Sequence, residues 1–391
     1  MSDFRTDVLV IGGGPAGATA AHQLAAAGVS VTLIDRARFP REKTCGESLS
    51  PGAIARLSIL GMWEPPSALD ARAAETGGKT IRGMRIRSPR GTTFLGMYKP
   101  GGAGLAIRRT TLDRELLESA RRRGARVIEG LEAVRTVRTP EGQAVVYARD
   151  TGGLVTRRIY AKRVVVADGR SSFVARQLGF IEPESGQRES RRYAVRAHCN
   201  AVADLTDLAE MQVGDGGYCG VAPLSKTSAN VCYVLFTDRL DMKPGDLASD
   251  FRRDLRAFPE VARRLESAEV EGDICVIGPL RLRSRRQTAG PFIACGDTTG
   301  FLDPFTGEGI AHAIATGALA AAAARASLEG HSRPFQAYES QVRRLRRVKG
   351  TAARLLYGLV SRRVLADSAA LVFARLPRLG NVVVQLFGDQ I

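Results

Sequence analysis

The sequence predicts an α/β protein with a parallel sheet, an inserted antiparallel lobe and a helical C-terminal region. An apolar run at 7–11 precedes a glycine-rich turn, an alanine-rich stretch over 14–27 and a second apolar run at 31–34, the pattern of a β-α-β unit. From 191 to 236 longer alternating runs replace this pattern, as in antiparallel strands. Helical periodicity with a basic face dominates 335–387.

The remaining elements follow in chain order. We predict a helix at 112–123, a strand at 126–129, a meander over 134–160, a buried strand at 163–167, lobe strands at 193–198, 217–223 and 230–236, a strand at 292–295 and a helix at 309–326. These elements imply a discontinuous main domain of 1–75, 101–185 and 287–330. The lobe then comprises 76–100 and 186–286, and the C-terminal helical region comprises 331–391.

Composition excludes several classes of protein. The six cysteines form no CxxC pair and no disulfide-like spacing, so a zinc site or a secreted scaffold is not expected. The N-terminus lacks a signal-peptide pattern, and the run 309–324 is too short and too weakly apolar to span a bilayer, so we expect a cytoplasmic protein. The net charge of +17 attracts anions, but the arginine clusters lack interleaved aromatics, and no nucleic-acid partner is expected.

The glycine-rich turn carries the first chemical signal. Gly12, Gly14 and Gly17 form a GxGxxG motif between a strand and a helix, and Asp35 ends the next strand 18 residues beyond Gly17. Such glycines allow a tight turn, close approach of a pyrophosphate and close helix–strand packing, while the acid accepts hydrogen bonds from ribose. The unit predicts dinucleotide binding, with FAD and NAD both open at this point.

Two later loops complete a resemblance. Asp168-Gly169 follows the strand at 163–167, and Gly296-Asp297 precedes a glycine-rich turn that opens the helix at Gly309. With the first motif, they resemble the three-motif signature of glutathione-reductase-like FAD enzymes of the para-hydroxybenzoate hydroxylase class. The resemblance implies a Rossmann-type FAD domain in which the helix N-terminus at Gly309 faces the flavin. The arginine that often closes the DG motif falls one position late, at Arg176.

The segment Lys43-Thr44-Cys45-Gly46-Glu47-Ser48 narrows the resemblance. It is similar to the KxCG element of geranylgeranyl-reductase-like proteins and to the GES-like element of flavin-dependent halogenases, and in both it lies beside FAD. Arg109 and Asp113 match an R-x-x-x-D element that reaches the flavin in relatives. The resemblance thus implies cofactor contacts from Gly12, Gly14, Pro15, Ala16, Gly17, Asp35, Arg36, Cys45, Gly46, Glu47, Ser48, Arg109, Asp168, Gly169, Gly296, Asp297, Pro304, Gly307, Gly309 and Ile310.

Halogenation fits the sequence poorly. The tryptophans of the halogenase WxWxIP element are missing from the segment 218–223, and Lys79, the one lysine loosely placed for handling hypohalous acid, is expected at the surface. The chemistry that dominates the resembled class leads us to predict a flavin monooxygenase that oxidises a bulky aromatic or apolar substrate with reduced FAD and O2. Reduction of isoprenoid C=C bonds is the alternative. A third hypothesis, from a different functional class, is a basic binding protein without catalytic activity.

The sequence also offers candidate catalytic residues and partners. Cys45 is a candidate proton donor and Tyr218 a candidate substrate contact, each with inert core packing as the alternative; the four histidines are given no role. No second GxGxxG exists, so NAD(P)H docks transiently or a separate reductase supplies the electrons. The substrate is expected to be hydrophobic, with a carrier-bound or peptide-bound form open, and the C-terminal helices cap a pocket, touch a membrane or simply pack. The sequence leaves the oligomeric state open.

Overall fold

The computed structural model of the chain describes residues 3–153, 156–181, 192–214, 216–236, 246–278, 280, 282–300, 307–360 and 362–390. Within these residues single strands and helices alternate near the N-terminus, runs of strands follow, and four helices end the chain. The strands are β1 Phe4–Ile11, β2 Val31–Asp35, β3 Ser48–Leu49, β4 Lys79–Ile81, β5 Gly83–Arg87, β6 Thr93–Met97, β7 Gly104–Ala106, β8 Arg126–Glu129, β9 Leu131–Arg138, β10 Ala144–Asp150, β11 Thr156–Val166, β12 Arg192–Asn200, β13 Leu208–Gly214, β14 Gly217–Pro223, β15 Ala229–Phe236, β16 Glu269–Ile277, β17 Thr288–Ala289 and β18 Phe292–Ala294. The helices are α1 Pro15–Ala26, α2 Pro51–Ile59, α3 Leu69–Thr76, α4 Arg109–Arg122, α5 Phe173–Gln177, α6 Leu247–Leu255, α7 Pro259–Arg264, α8 Gly309–Leu328, α9 Pro334–Val360, α10 Arg363–Arg375 and α11 Pro377–Phe387, with 3₁₀ turns at Pro66–Ala68 and Gly296–Thr299.

The main sheet has a parallel centre in the order β8-β2-β1-β11-β18. At its centre the residues 8–11, 164–166 and 292–294 are apolar and buried, because both faces of the sheet are covered there. One face packs against α1, α4 and α8, and the other packs against β9, β10 and α5. The carboxyl ends of these strands carry the predicted cofactor loops, so the sheet places the loops at one edge.

The strand predicted at 163–167 is present over 163–166, but it is the end of a longer strand and not a separate element. These residues form the end of β11, which pairs antiparallel with β10 through Ala161 and parallel with β1 from Ile159 to Val166. Because the parallel pairing begins before the antiparallel pairing ends, the strand continues without a break. The predicted Rossmann-type α/β fold is otherwise confirmed.

The second sheet has the order β16-β12-β15-β14-β13-β5-β6. Its pairs are antiparallel except β13 with β5, which run parallel because β5 reaches the sheet from an earlier part of the chain. Strand β4, inside the segment assigned to the lobe, instead pairs with β7 in a small sheet with β3. The assignment of the chain to domains stays a prediction.

Alternation along the second sheet gives its two faces different roles. Val195, Val231 and Tyr233 pack with α6 and α7 in one apolar cluster. Their neighbours Ala194, Cys232 and Val234 lie on the other face, toward the main sheet. One face therefore stabilises the lobe, while the other is available to line a cavity.

Helix α8 is long and apolar enough to cross a membrane, but 61% of its most apolar stretch is buried inside the protein. It packs tightly on α1, since a Cβ added at Gly317 would lie 2.2 Å from Ala16 O. A helix in the core of a protein can have the length and apolar composition of a membrane-spanning helix. Helices α10 and α11 reach that length and composition only when taken together, and the pair bends by 114° at the break between them.

The C-terminal helices cover the edge of the second sheet. Met97 N on β6 donates to Asn381 Oδ1 at 2.8 Å, and Arg90 N donates to Asp367 Oδ1 at 2.9 Å. A Cβ at Gly96 would lie 2.3 Å from Val384 Cγ2, so α11 lies directly on the strand. The contacts of α11 occupy backbone hydrogen-bonding groups of the edge strand β6, which would otherwise be open to pairing with another strand.

Candidate functional site

A large cavity lies between the carboxyl edge of the main sheet and the inner face of the second sheet. It collects nearly all of the residues singled out in the sequence. Those that line it are Gly12, Gly14, Pro15, Ala16, Asp35, Cys45, Gly46, Glu47, Ser48, Arg109, Asp168, Gly169, Tyr218, Gly296, Asp297, Gly307, Gly309 and Ile310.

The three glycine-and-aspartate loops converge. A Cβ built on Gly12 would lie 2.7 Å from Asp168 Cα, and one built on Gly296 would lie 2.9 Å from Ala16 Cβ. Thr298 Oγ1 donates to Val166 O at 3.0 Å, which ties the third loop to the strand that carries the second. The loops therefore form one continuous wall of the cavity.

Asp35 organises the first turn. Its Oδ2 accepts a hydrogen bond from Gly13 N at 2.6 Å, and its Oδ1 accepts one from Ala37 N at 2.7 Å. The carboxylate thus lies beside the N-terminus of α1, where Pro15 begins the helix and the main-chain N–H groups favour an anion.

Asp168 is electrostatically unusual. Burial raises its pKa to about 6, against a lowering by the Ser172 hydroxyl. Its Oδ1 atom is buried and accepts no hydrogen bond from the part of the chain that the structure describes. Across the wall, burial lowers the pKa of Lys43, although the charge of Asp297 opposes that change.

Glu47 connects the cofactor wall to the rest of the site. It has a left-handed backbone with φ of 54° and a buried side chain. Its Oε1 accepts from Arg109 N at 2.8 Å, at the start of α4, and its N–H donates to Cys45 Sγ at 3.4 Å. The strained conformation is held by these contacts, which is typical of functional positions.

Histidine 198 on β12 supports the same carboxylate. His198 Nε2 lies 2.6 Å from Glu47 Oε2, and Arg196 Nη1 lies 3.1 Å from His198 Nδ1. Because a guanidinium only donates, Nδ1 must accept and Nε2–H must donate to Glu47. The network therefore assigns the Nε2–H tautomer and joins the two walls.

Arg109 is held rather than free to move. Its Nε and Nη2 donate to the two carboxylate oxygens of Asp113 at 2.9 and 2.7 Å, and Arg41 pairs with Asp113 at 3.2 Å. Burial lowers the pKa of Arg109, but Asp113 and Cys45 together raise it above its ordinary value. A fixed positive charge therefore lies beside Cys45.

Helix α8 begins at the cavity. Its first backbone hydrogen bond runs from His312 N to Glu308 O at 2.9 Å, so the N–H groups of the preceding turn are not used within the helix. His312 Nε2 pairs with Thr299 Oγ1 at 3.0 Å. This positive helix end matches the place expected for a negatively charged flavin ring.

The opposite wall is the inner face of the second sheet. Tyr218, Gly220 and Ala222 alternate along β14 and all line the cavity, with Met211 and Cys232 on neighbouring strands. Tyr218 is buried and packs edge-on against Phe236. Burial raises the pKa of Cys232 to about 12, so its thiol keeps its proton. The wall is largely apolar.

Three of the predicted cofactor residues are not among those that line the cavity. Gly17 lies beneath the turn, where an added Cβ would be 1.8 Å from Gly12 O, so its role is packing. The placement does not support Arg36 as a contact: its side chain is 67% exposed and pairs with Glu132, because it follows inward-facing Asp35. Pro304 lies outside the described residues.

Sequence reasoning missed several cavity residues. Arg41, Lys43, Arg170 and His312 line the cavity beside the predicted set. Lys43 lay within the quoted KTCGES segment, and His312 lies three residues after Gly309, so proximity was the available signal. No sequence spacing pairs His198 with Glu47. Lys79, considered for halogenation, is not among the cavity residues.

The cavity fits FAD. A Cβ at Gly46, Gly307 or Gly309 would meet no atom of the described residues within 4 Å. Among the same residues Asp168 Oδ1 has no hydrogen-bond partner, and a cofactor hydroxyl or N–H would supply one. Two helix N-termini and the cations of Arg41 and Lys43 suit a diphosphate.

Comparisons with known proteins agree with this geometry. Residues 5–350 match the FAD_binding_3 family, described as "FAD binding domain". The chain is 32% identical to "Menaquinone reductase" of Mycobacterium tuberculosis (strain ATCC 25618 / H37Rv) over 346 residues, covering 82% of this chain and 76% of the relative. It is 28% identical to "Digeranylgeranylglycerophospholipid reductase 2" of Methanosphaera stadtmanae, covering 81% and 77%.

A solved structure shares the fold. The flavin-dependent brominase Bmp2 superposes with a TM-score of 0.83 at 22% identity, covering 98% of this chain and 93% of that chain. At this identity the likeness establishes the fold alone. The family match and the sequence relatives go further: the chain belongs to the FAD_binding_3 family and is an FAD-dependent oxidoreductase.

Proposed function

We propose that this protein reduces a carbon–carbon double bond in the polyprenyl part of a lipid. The observation that carries the proposal is the presence of an apolar sheet wall and the Cys45 thiol inside one cavity. The named relatives reduce menaquinone and digeranylgeranylglycerophospholipid, both of which are large apolar molecules with polyprenyl chains.

The chain's own residues suit this chemistry. FAD that has been reduced by an external electron donor would, when bound, supply a hydride to an acceptor. The other addition is a proton, and Cys45 Sγ–H is the donor that this proposal assigns. The thiolate left behind is stabilised by the N–H of Glu47 at 3.4 Å and by the charge of Arg109. The buried Cys232 thiol, with its raised pKa, is the poorer donor.

The sheet wall positions the substrate. Small residues at Ala194, Gly220 and Ala222 leave room for a branched chain, while Met211 and Phe387 supply adaptable apolar contact. Glu47, fixed by Arg109 N and His198, orients the Cys45 segment rather than meeting the lipid.

Oxygen insertion into a bulky substrate, the reaction that the sequence placed first, is the competing function. The fold shared with a brominase that is flavin-dependent makes a reaction other than reduction a real alternative. An apolar cavity would also exclude water from a reactive oxygen adduct. The two functions differ in their need for O2.

The test is anaerobic. The FAD-bound protein is reduced with dithionite and mixed with a menaquinone or a geranylgeranyl lipid in detergent, without O2. We expect the lipid to reoxidise the flavin and mass spectrometry to show a gain of two hydrogens in the polyprenyl chain. Reoxidation only after O2 is admitted, with a product that gains one oxygen, would establish the oxygenase instead.

A matched pair of variants tests the proton donor. Cys45→Ser should keep FAD but slow reoxidation by the lipid by about 10²-fold, the usual scale of general acid catalysis. Cys232→Ser, at a thiol of the same cavity, should stay near the wild-type rate. Equal rates for the two variants would remove Cys45 from the reaction.

A further inference from the structure

The C-terminal helix pair presents an apolar surface to the outside. Of the 13 exposed large hydrophobic side chains among the described residues, eight lie on α10, α11 or the residue between them. These eight, called the C-terminal patch, are Val364, Leu365, Leu371, Val372, Leu376, Leu379, Val382 and Leu386.

The patch follows the helical repeat. On α11, Leu379, Val382 and Leu386 are spaced three and four residues apart and are exposed by 44%, 50% and 39%. The opposite side of the same helix is buried, with Val384 and Phe387 in the cluster that includes the inner face of the second sheet. Each helix therefore has one face in the core and one apolar face outside.

The sheet edge extends this surface. Leu95 and Met97 on β6 are also exposed, by 48% and 41%. Gln385 Nε2 on α11 donates to Met97 O at 3.3 Å, which places the strand edge beside the helix. Ten of the 13 exposed hydrophobics thus belong to this one region, well beyond the scattered apolar residues of an ordinary surface.

Basic residues frame the patch. Arg362, Arg363, Arg375 and Arg378 are all exposed, and the acids of 362–390 are Asp367, which is buried and paired with Arg90, and Asp389. The whole chain carries +17. An aliphatic face rimmed by arginines is complementary to an anionic lipid surface, with apolar side chains among the acyl chains and cations at the headgroups.

We propose that the C-terminal patch docks the protein on the surface of an anionic lipid bilayer. A second copy fits less well, since the two arginine rims would repel each other. A protein partner would be expected to meet aromatic and Met side chains, whereas this patch is made of Leu and Val. The proposal does not require a membrane-spanning segment.

The docked face adjoins the cavity. Phe387 on the inner side of α11 lines the cavity, as does Tyr98 just after β6. A lipid leaving the bilayer at the patch would therefore have a short apolar route to the redox site. This route rests on the proposed function, whereas docking itself does not.

The test is vesicle sedimentation of the full FAD-bound chain. The probes are phosphatidylcholine vesicles with and without phosphatidylglycerol, and wild type should bind the anionic vesicles more tightly. Leu376→Glu/Leu379→Glu should lose at least about tenfold in binding, whereas Ile59→Glu, at an 84% exposed apolar residue away from the patch, should bind like wild type.

Charge variants separate the two components. Each arginine near an anionic surface contributes about fivefold to binding, so Arg375→Glu/Arg378→Glu should lose at least about tenfold on anionic vesicles and little on neutral ones. Arg114→Glu/Arg256→Glu makes the same charge change at exposed sites elsewhere and should lose much less.

Three results would overturn docking. Wild type could stay in the supernatant with both vesicles, all variants could sediment alike, or the Leu→Glu pair could convert a dimer to a monomer without changing vesicle binding, which would assign the patch to a second copy. Binding is read without any lipid substrate, so failure of the reductase assay leaves this result intact. Unchanged FAD content in each variant shows that it is folded.

Discussion

The two walls of the cavity are built in different ways. On the cofactor wall, backbone meets backbone: a Cβ at Gly17 would lie 1.8 Å from Gly12 O, and one at Gly12 would lie 2.4 Å from Ala167 O. On the sheet wall, a Cβ at Gly220 would meet its nearest atom at 3.7 Å, an ordinary contact. Around the Gly12 turn the backbone leaves no room for an added side-chain atom, whereas at Gly220 there is room.

This difference separates cofactor binding from substrate choice. A dinucleotide of fixed shape requires loops at fixed distances, and glycine is the residue that allows them. An apolar substrate requires volume and surface, which side chains supply without moving the strands. We infer that changes on the sheet wall alter the substrate while the FAD-binding fold is kept.

One methyl group added at a glycine of each wall tests this difference, and the effect at Gly17 should be the largest. Gly17→Ala should destabilise the protein by about 3 kcal/mol or more and abolish FAD binding, since backbone atoms cannot yield. Gly220→Ala should retain the wild-type melting temperature and FAD content, and should change mainly KM for a bulky substrate. Thermal unfolding and flavin absorbance measure both.

If the protein tolerated Gly17→Ala and Gly220→Ala equally well, the proposed difference between the two walls would be contradicted. Gly358→Ala, at an exposed helical position where a Cβ meets no atom within 4 Å in the part of the chain that the structure describes, controls for the general effect of replacing glycine. It should be neutral or slightly stabilising.

The next effect concerns the link between the walls. His198→Phe removes the Nε2–H donor of the buried Glu47 carboxylate and should cost about 1–3 kcal/mol in the free energy of unfolding. His331→Phe, at a side chain 64% exposed, should cost almost nothing. Denaturant unfolding measures both, and a His198 variant as stable as wild type would show that the walls are independent.

A smaller, pH-dependent effect belongs to Asp168. Its pKa is about 6 in the folded chain and 3.8 ordinarily, so the folded state binds the proton more tightly. The contribution of Asp168 to the free energy of unfolding of the FAD-free protein should therefore fall as the pH rises from about 4 to about 6, by at most about 3 kcal/mol. The cost is absent below pH 4 and complete above pH 6.

Asp168→Asn removes this dependence. Relative to wild type, the variant should be similar near pH 4 and more stable above pH 6, as read by unfolding across that range. Asp273→Asn, at an exposed carboxylate on β16, controls for the removal of one negative charge. A constant difference between Asp168→Asn and wild type would contradict the raised pKa.

The cofactor wall could be predicted from the sequence because its information is local. Gly12, Gly14 and Asp35 lie in one β-α-β unit, and the glycines report the close approaches directly. The sheet wall could not, since Met211, Cys232 and Phe387 meet only after distant strands and a C-terminal helix pack. Apolar alternation predicts a strand face but not what that face opposes.

The Glu47–His198 pair shows the same limit. The residues are far apart in the chain, and a histidine without a metal-like spacing carries no signal on its own. Arg36 shows the converse case: the resemblance implied a cofactor contact, whereas its side chain is 67% exposed and pairs with Glu132. Local motifs predict contacts reliably where the backbone itself makes them.

We expect the three loops at Gly12, Asp168 and Asp297 to bind one FAD together. The most direct measurement is the FAD content of purified Asp297→Ala, compared with Asp273→Ala and wild type, after reconstitution and titration. We predict that the wild-type chain and Asp273→Ala each bind one FAD. Asp297→Ala should fold but bind FAD at least about tenfold more weakly. Wild-type FAD affinity in Asp297→Ala would contradict this prediction.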